Sequence, residues 1–244
     1  MAARCRICDA AATFRSIRVR RGKTLQLWRC ADCCFEFFDH DPSEVLEQNK
    51  LDESRLKAAG MDVPTIEADF ENGLKQSQPL IAEYLDEDDK GSNILEIGCS
   101  VGYFLKLIAD FGCNPYGVEL SQVRTDYVNN VLGIPCDQNL VELEKRGVKF
   151  RKIFMFYVLE YILDPVDYLQ RLVSLLEEGG ELVCLTPSLN DPLKEIWRNK
   201  GFIDFFYDEN AVSYMTPATI KRILARMTFG DSKIETWQGY SFAS

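Results

Sequence analysis

Asn93-Ile-Leu-Glu-Ile-Gly-Cys-Ser-Val-Gly-Tyr-Phe-Leu105 decides how the rest of this 244-residue chain is read. Asn93 to Ile97 has the composition of a buried strand, Gly98 permits a sharp reversal, and a helical pattern begins at about Gly102. Glycines in such a strand–turn–helix context carry meaning. Gly102 would let backbone approach a ligand with no Cβ in the way, and the first amides of the helix would face that ligand.

Outward from this turn, strands and helices alternate. Pro79 opens a helix with Leu80, Ile81, Tyr84 and Leu85 on one face, followed by the acidic loop Asp86 to Lys90. After the turn, Phe104, Leu105, Ile108 and Phe111 form an apolar stripe that Gly112 ends. A second strand reaches Glu119, a helix runs to Leu132, and a short strand around Ile134 to Cys136 precedes Asp137. Lys152 to Glu160 is a nearly continuous apolar run, as expected of a central parallel strand. Asp164-Pro165 starts a helix that Gly179-Gly180 is expected to end, Glu181 to Thr186 reads as a strand, Thr216-Pro217 caps a helix, and Ser232 to Trp237 is the last strand candidate. This alternation predicts an α/β fold with a parallel sheet, helices on both faces, and a ligand at the carboxyl ends of its strands.

The N-terminal part is different. Cys5-Arg-Ile-Cys8 and Cys30-Ala-Asp-Cys33 make two C-x2-C pairs, whose four thiolates suit one closed tetrahedral zinc site. Between them Thr13 to Val19 and Thr24 to Trp28 alternate around Arg21-Gly22-Lys23 as a hairpin. The expectation is a zinc ribbon, too small to fold well without its metal. Cys34 and Asp9 each follow the second cysteine of a pair, where positive φ is common, so Cys33 rather than Cys34 is read as the fourth ligand. His40, the single histidine, lies between Asp39 and Asp41 and reads as a solvated loop residue. Asp41-Pro42-Ser43-Glu44 has the form of a helix start. The weakly periodic stretch that follows is either a linker or a lid over a cleft.

The net charge of −10 is unevenly placed. Residues 1–34 carry eight basic and two acidic side chains, whereas the remaining 210 carry 20 basic and 36 acidic ones. An acidic body of this kind repels a nucleic-acid backbone, so nucleic acid is not expected as a partner. No apolar run approaches the ~20 residues of a membrane span. Nine cysteines with no export-type apolar segment at the start point to a reducing, cytoplasmic setting.

The turn fits E-x-G-x-[GS]-x-G and not a dinucleotide fingerprint, which would place glycines at 98, 100 and 103. With Glu119 about 20 residues on, the pattern resembles class I S-adenosylmethionine-dependent methyltransferases. With the cysteine ribbon ahead of it, the chain resembles bacterial sugar and small-molecule methyltransferases that carry an N-terminal zinc-binding region. Tyr157-Val-Leu-Glu-Tyr161, Asp164-Pro165, Gly179-Gly180, Thr186-Pro187 and Tyr214-Met-Thr-Pro217 follow in the family's order. The resemblance implies a zinc ribbon over 1–40, a helical linker or lid over 41–90 and a Rossmann-like cofactor domain over 91–244. It implies cofactor contacts from Glu96, Gly98, Cys99, Gly102, Glu119 and Asp137, and an acceptor side lined by Tyr157, Glu160, Tyr161, Glu209 and Tyr214. Such methyltransferases normally end on one further antiparallel strand, of which Tyr240 to Ala243 is a stub unless the chain has been shortened.

Two departures bear on chemistry. Tyr161 and Asn210 stand where the family usually has histidines, the common base near neutrality. Deprotonation then falls to a carboxylate, Glu160 or Glu209, or is not required. The resemblance therefore implies methyl transfer to a small polar metabolite or sugar nucleotide. The alternatives are a cofactor-binding scaffold without transfer, docking an acidic protein through its basic ribbon, and non-methyl chemistry on the same cofactor.

Overall fold

The computed structural model describes residues 3–18, 24–38, 65–207 and 210–236. Near the N-terminus, strands β1 (Ala12–Arg18) and β2 (Thr24–Cys30) pair antiparallel, with Ala12 opposite Cys30 and Arg18 opposite Thr24. A short third strand, β3 (Glu36–Phe38), adds to β2.

The second sheet holds β4 (Asn93–Ile97), β5 (Asn114–Val118), β6 (Cys136–Asp137), β7 (Phe150–Phe156) and β8 (Leu176–Leu185), in the order β6-β5-β4-β7-β8. Every pairing is parallel, so each connection crosses over a face. Helices α1 (Ile66–Tyr84), α2 (Tyr103–Phe111), α3 (Gln122–Asn130), α4 (Leu140–Arg146) and α5 (Pro165–Leu175) provide those layers. The period of two along the central strands sorts the core. Ile94 and Phe154 pack with Ile81, Phe104, Ile108 and Val128 from α1, α2 and α3. Leu95, Ile97, Ile153 and Met155 pack on the other face with Leu143, Leu169 and Leu172 from α4 and α5. Each such full burial is worth about 1.5–3 kcal/mol relative to exposure. Both sides of β4 are therefore sealed, and only its carboxyl end is left to meet a ligand.

Beyond β8 come α6 (Pro192–Glu195), α7 (Lys200–Phe206), strand β9 (Ser213–Tyr214) and α8 (Pro217–Leu224). Strand β9 leaves the parallel sheet altogether and pairs antiparallel with β3, with Glu36 opposite Tyr214 and Phe37 opposite Ser213. The N-terminal sheet, in the order β1-β2-β3-β9, is thus completed by residues from near the other end of the chain.

Three expectations are corrected. The helix before β4 begins at Ile66, capped by the Thr65 side chain, and Pro79 lies inside it. Gly73 in its middle abuts the ring of Tyr103, and Phe70 meets Tyr127 edge-on. Packing, which periodicity does not reveal, carries the helix through both residues. Helix α5 ends at Leu175 and Gly179-Gly180 lies within β8, at the register shift opposite Phe150 to Lys152. A glycine inside a strand often marks such an irregularity. Residues 232–236 form no strand: they are largely exposed, and Ile234 instead lines a groove with Leu224 and Phe229. The hairpin turn Arg21-Gly22-Lys23, His40, the helix start at Asp41-Pro42, the linker or lid up to residue 64, Glu209, Trp237 and Tyr240 to Ala243 lie outside the described residues.

Candidate active site and cysteine cluster

The turn after β4 is held by backbone bonds to the neighbouring strand: Gly98 and Cys99 N–H both donate to the Val118 carbonyl, at 2.7 and 3.2 Å. Gly98 and Gly102 have φ of +74° and +79°, which glycine alone adopts without strain. A Cβ on Gly98 would lie 2.5 Å from Val158, and one on Gly102 would lie 2.9 Å from Val128 and from Leu132. The space beside Gly102 is thus filled by protein, so its glycine serves backbone conformation and the packing of α3. This replaces the expectation that it clears a path for a ligand. Cys99 is buried, with its sulfur 3.6 Å from that of Cys136.

Two carboxylates flank the turn at adjacent strand ends. Glu119, just past β5, accepts from Ser100 N–H at 3.0 Å and Ser121 N–H at 2.8 Å. Burial pushes its pKa up, opposed by those amides and by Arg124. Each oxygen keeps a lone pair for a further donor. Glu96, on the α1/α2 side of β4, is buried, and its Oε2 has no hydrogen-bond partner among the described residues. Burial above all, with Cys136 and Glu119 adding, holds its carboxyl well above the usual range. A buried acid of this kind favours a cationic or hydrogen-donating ligand group. Tyr103 stands among these charges: burial first, then Glu96 and Asp69, push its hydroxyl up to about 12, against the opposing effect of Arg124. Asp137 ends β6 with its carboxylate paired to Arg146.

On the acceptor side, Tyr157 follows β7 with φ of +55° and is half exposed. Glu160 is buried in a single 3-10 turn over Leu159–Tyr161; its Oε2 accepts from the Thr186 hydroxyl at 3.3 Å, and its carbonyl accepts from Val212 N–H at 2.8 Å. Tyr161 packs against the cluster of Leu27, Phe38, Leu189, Tyr207 and Tyr214. Tyr214 is enclosed there, with ring centroids 5.0 Å from Tyr207 and 6.1 Å from Phe38. The structure therefore brings Tyr157 and Glu160 to the carboxyl end of β7 and places Tyr214 in the seam with the N-terminal sheet.

In that sheet the ligand atoms of Cys5, Cys8, Cys30 and Cys33 all lie within 4.8 Å of one another. The closest sulfur pairs are Cys8–Cys30 at 3.5 Å, Cys8–Cys33 at 3.6 Å and Cys5–Cys33 at 3.7 Å. Four sulfurs around a zinc ion at about 2.3 Å make a tetrahedron with edges of about 3.8 Å, so the group fits such an ion. Amides of Ile7, Asp32 and Cys33 each donate to a cysteine sulfur at 3.4 Å. Asp9 and Cys34 both have φ of +60°, the conformation expected of them as residues that follow the ligand pairs.

Residues 71–229, more than half of the chain, match the family model described as a methyltransferase domain. The chain belongs to that family. Among curated relatives, this methyltransferase-domain protein is 26% identical over 155 residues to a ubiquinone biosynthesis O-methyltransferase of Roseobacter denitrificans, covering 61% of this chain and 56% of that one. It is also 26% identical over 121 residues to one of Coxiella burnetii, covering 46% and 51%. The chain thus spans about half the length of the curated relatives it matches. Its fold is that of a magnesium protoporphyrin IX methyltransferase from Synechocystis solved with bound SAH, at a TM-score of 0.53 and 20% identity over 76% of this chain and 88% of that one. A SAM-dependent methyltransferase from Archaeoglobus fulgidus gives a TM-score of 0.52 at 20% identity, over 69% and 73%.

The cysteine cluster lies outside the matched methyltransferase domain, yet α8 at the domain's end is bonded to it. Thr216 and Thr219 cap α8 reciprocally, and both hydroxyls reach the Cys33 carbonyl, at 3.3 and 2.8 Å. Arg226 Nη1 donates to the carbonyl of Ile7 at 2.8 Å. Glu36, buried on β3, accepts from Arg15 at 2.6 Å, Arg29 at 2.7 Å and the Tyr207 hydroxyl at 2.7 Å. Sequence reasoning passed over Thr219, Glu36 and Tyr207: Thr219 bonds to Cys33 across 186 residues and Tyr207 to Glu36 across 171. The threonine spacing of a capping box at Thr216 was the one available signal. Among the described residues no helix is long and apolar enough to cross a membrane.

Proposed function

We propose that this methyltransferase-domain protein binds S-adenosylmethionine where β4 and β5 end and transfers its methyl group to a hydroxyl of a small polar acceptor, with sugar nucleotides the foremost class. The observation that carries the reading is the pair Glu96 and Glu119 at adjacent carboxyl ends of a parallel sheet. One has a buried oxygen without a partner, and the other is anchored on the glycine turn. In this reading Glu119 takes the ribose hydroxyls, Glu96 takes the amino group, and Gly98, Cys99 and Gly102 shape the turn. Asp137 stands on the adenine side.

When bound, S-adenosylmethionine supplies a methyl group on a sulfonium, a good leaving system. The chain's own work is then to align an acceptor for in-line attack and to exclude water. Tyr157, Glu160, Tyr161 and Glu209 are assigned to the acceptor side, with Glu160 or Glu209 taking a proton where the acceptor must lose one. Names of the curated relatives support oxygen as the acceptor atom. Exposed Ile196 and Trp197 between β8 and α7 favour a second acceptor class, a hydroxylated ring bearing an apolar tail.

The cysteine cluster is assigned one zinc ion as a closed structural site, with Cys5, Cys8, Cys30 and Cys33 as ligands. The test is mass spectrometry of products after incubation with methyl-labelled S-adenosylmethionine and two panels, sugar nucleotides and prenylated hydroxyquinols. Label on a sugar nucleotide supports the first class, and label on a hydroxyquinol replaces it with the second. Cofactor binding without labelled product from panels or cell extract would overturn transfer in favour of a scaffold.

A further inference from the structure

We propose that Arg124 binds the α-carboxylate at the amino-acid end of S-adenosylmethionine, and that Asp69 is the anion this carboxylate displaces. The inference rests on the cofactor reading above and extends it to a residue that no motif marks.

Arg124 lies in the first turn of α3, five residues after Glu119. Its side chain is only 13% exposed, unusual for an arginine with so few partners. One Nη donates to the Ser100 hydroxyl on the glycine turn. The other stands 3.4 Å from the Asp69 carboxylate of α1. Its Nε is buried and has no hydrogen-bond partner among the described residues. A guanidinium presents its donors as a planar fork that a carboxylate fills with two parallel bonds of about 2.7–2.9 Å. At 3.4 Å, Asp69 is a loose partner and leaves the fork unfilled.

The charges around the turn make the ligand's chemistry specific. Glu96, Glu119 and Asp69 are acidic, and Arg124 is the cation set among them. A neutral nucleoside would leave both the Glu96 oxygen and the Arg124 Nε without partners. An amino-acid end, carrying one ammonium and one carboxylate, supplies a partner to each. Asp69 belongs to α1, so its displacement would also change what holds the first turn of that helix against the glycine turn.

Calorimetry on the full chain with two ligands tests this: S-adenosylhomocysteine, and 5′-methylthioadenosine, which keeps the nucleoside and sulfur but lacks the amino-acid end. Arg124→Gln should weaken S-adenosylhomocysteine about 10- to 100-fold, the scale of a lost charge-assisted hydrogen-bond pair, while 5′-methylthioadenosine stays within about twofold. Arg124→Lys, which keeps the charge without the fork, should fall between. Asp69→Asn should tighten S-adenosylhomocysteine or leave it unchanged. Unaltered S-adenosylhomocysteine affinity in Arg124→Gln, or equal loss for both ligands, would overturn the proposal, the second outcome assigning Arg124 to shaping the turn through Ser100. Weaker binding in Asp69→Asn would remove Asp69 as the displaced anion. Wild-type protein binding neither nucleoside would instead defeat the cofactor reading itself.

Discussion

The Thr219 hydroxyl donates to the carbonyl oxygen of Cys33 at 2.8 Å, across 186 residues of chain. A side chain at the start of α8 thereby fixes the backbone of the last metal-ligand candidate. Thr219→Val keeps the shape and removes the donor, leaving the Cys33 carbonyl with only the longer bond from Thr216. The expected loss is about 1–2 kcal/mol of stability, read as a lower denaturation midpoint. Zinc release to a thiol-reactive mercurial should also quicken, and an unchanged release rate would separate α8 from the cluster.

Metal analysis provides the next check. One zinc per chain is expected, and Cys8→Ala should abolish stoichiometric retention, since a closed structural site needs all four sulfurs. Strong chelation should lower the melting temperature. Cys34→Ala should leave the zinc content unchanged, because its backbone sits at the positive φ that follows the ligand pair.

Glu36 on β3 holds Arg15 of β1, Arg29 of β2 and the Tyr207 hydroxyl just after α7, and both arginines are at least a third exposed. Solvent screening discounts those ion pairs, so Glu36→Gln should cost only about 1–3 kcal/mol. Tyr207→Phe removes one neutral donor and should cost less. Burial first, and then Glu36, raise the Tyr207 pKa, so the tyrosine remains a donor throughout the physiological range. A Glu36→Gln melting curve equal to wild type would show that the seam does not depend on this carboxylate.

Acid stability should depend on Asp89. It is buried at 2.8 Å from the Lys152 ammonium. Burial alone would raise its pKa, but the Lys152 hydrogen bond and charge, with the Asp86 amide and Arg151, bring it below the ordinary value. The unfolded chain therefore takes up this proton at higher pH than the folded one. The stabilisation is complete above the unfolded value of about 3.9 and disappears as pH falls through the lower, folded value. Asp89→Asn should abolish this part of the acid transition and cost about 1–3 kcal/mol at pH 7, because buried Lys152 loses its nearest anion and keeps only the Tyr84 carbonyl at 2.8 Å and Glu181 at 3.5 Å. Equal slopes of stability against pH below 4 in mutant and wild type would refute the assignment.

At the proposed cofactor site, Glu119→Ala should weaken S-adenosylhomocysteine by roughly 1.5–3 kcal/mol, the range for hydrogen bonds to a charged group. The same change frees the Ser100 and Ser121 amides, so Glu119→Gln is the cleaner comparison. Under transfer conditions Tyr161→Phe and Asn210→Ala should lose less than about tenfold in rate, or 1.4 kcal/mol in barrier. Glu160→Gln should lose more if the acceptor must be deprotonated. Abolished turnover in Tyr161→Phe with intact cofactor affinity would make the tyrosine the base.

The parallel sheet was readable because its signals are local. Ile94 to Ile97, apolar but for Glu96, and Ile153 to Met155 are strand-like runs, and Gly98 and Gly102 adopt the positive φ that a turn at that point requires. The C-x2-C pairs were readable for the same reason. What escaped notice depends on distant partners. Pro79 looks like a helix start, whereas the helix runs through it from Ile66, with Gly73 packed against Tyr103. Gly179-Gly180 looks like a helix stop until β8 is paired with β7. Tyr214 reads as an acceptor-side residue, whereas its strand completes the cysteine-bearing sheet, and Thr216, read as a helix cap, also reaches the Cys33 carbonyl. Arg124 carries no local signal, and its burial between α1 and the turn is visible only in three dimensions.

The completion of the N-terminal sheet by β9 also sets an order of events during synthesis. The four cysteines leave the ribosome long before the segment Ser213 to Thr219 that covers them. At about 5–20 residues per second, the 186 residues from Cys33 to Thr219 take roughly 10 to 40 seconds to make. For that interval Phe35, Phe37 and Phe38, all buried in the finished protein, have neither β9 nor the Tyr207 cluster to pack against. Capture of a metal ion by the nascent hairpin would hold the cysteine loops in place while the parallel sheet is still being made. A sheet begun before the parallel one is thus closed only after it, and a nascent polypeptide stalled before residue 213 would expose that aromatic surface to chaperones.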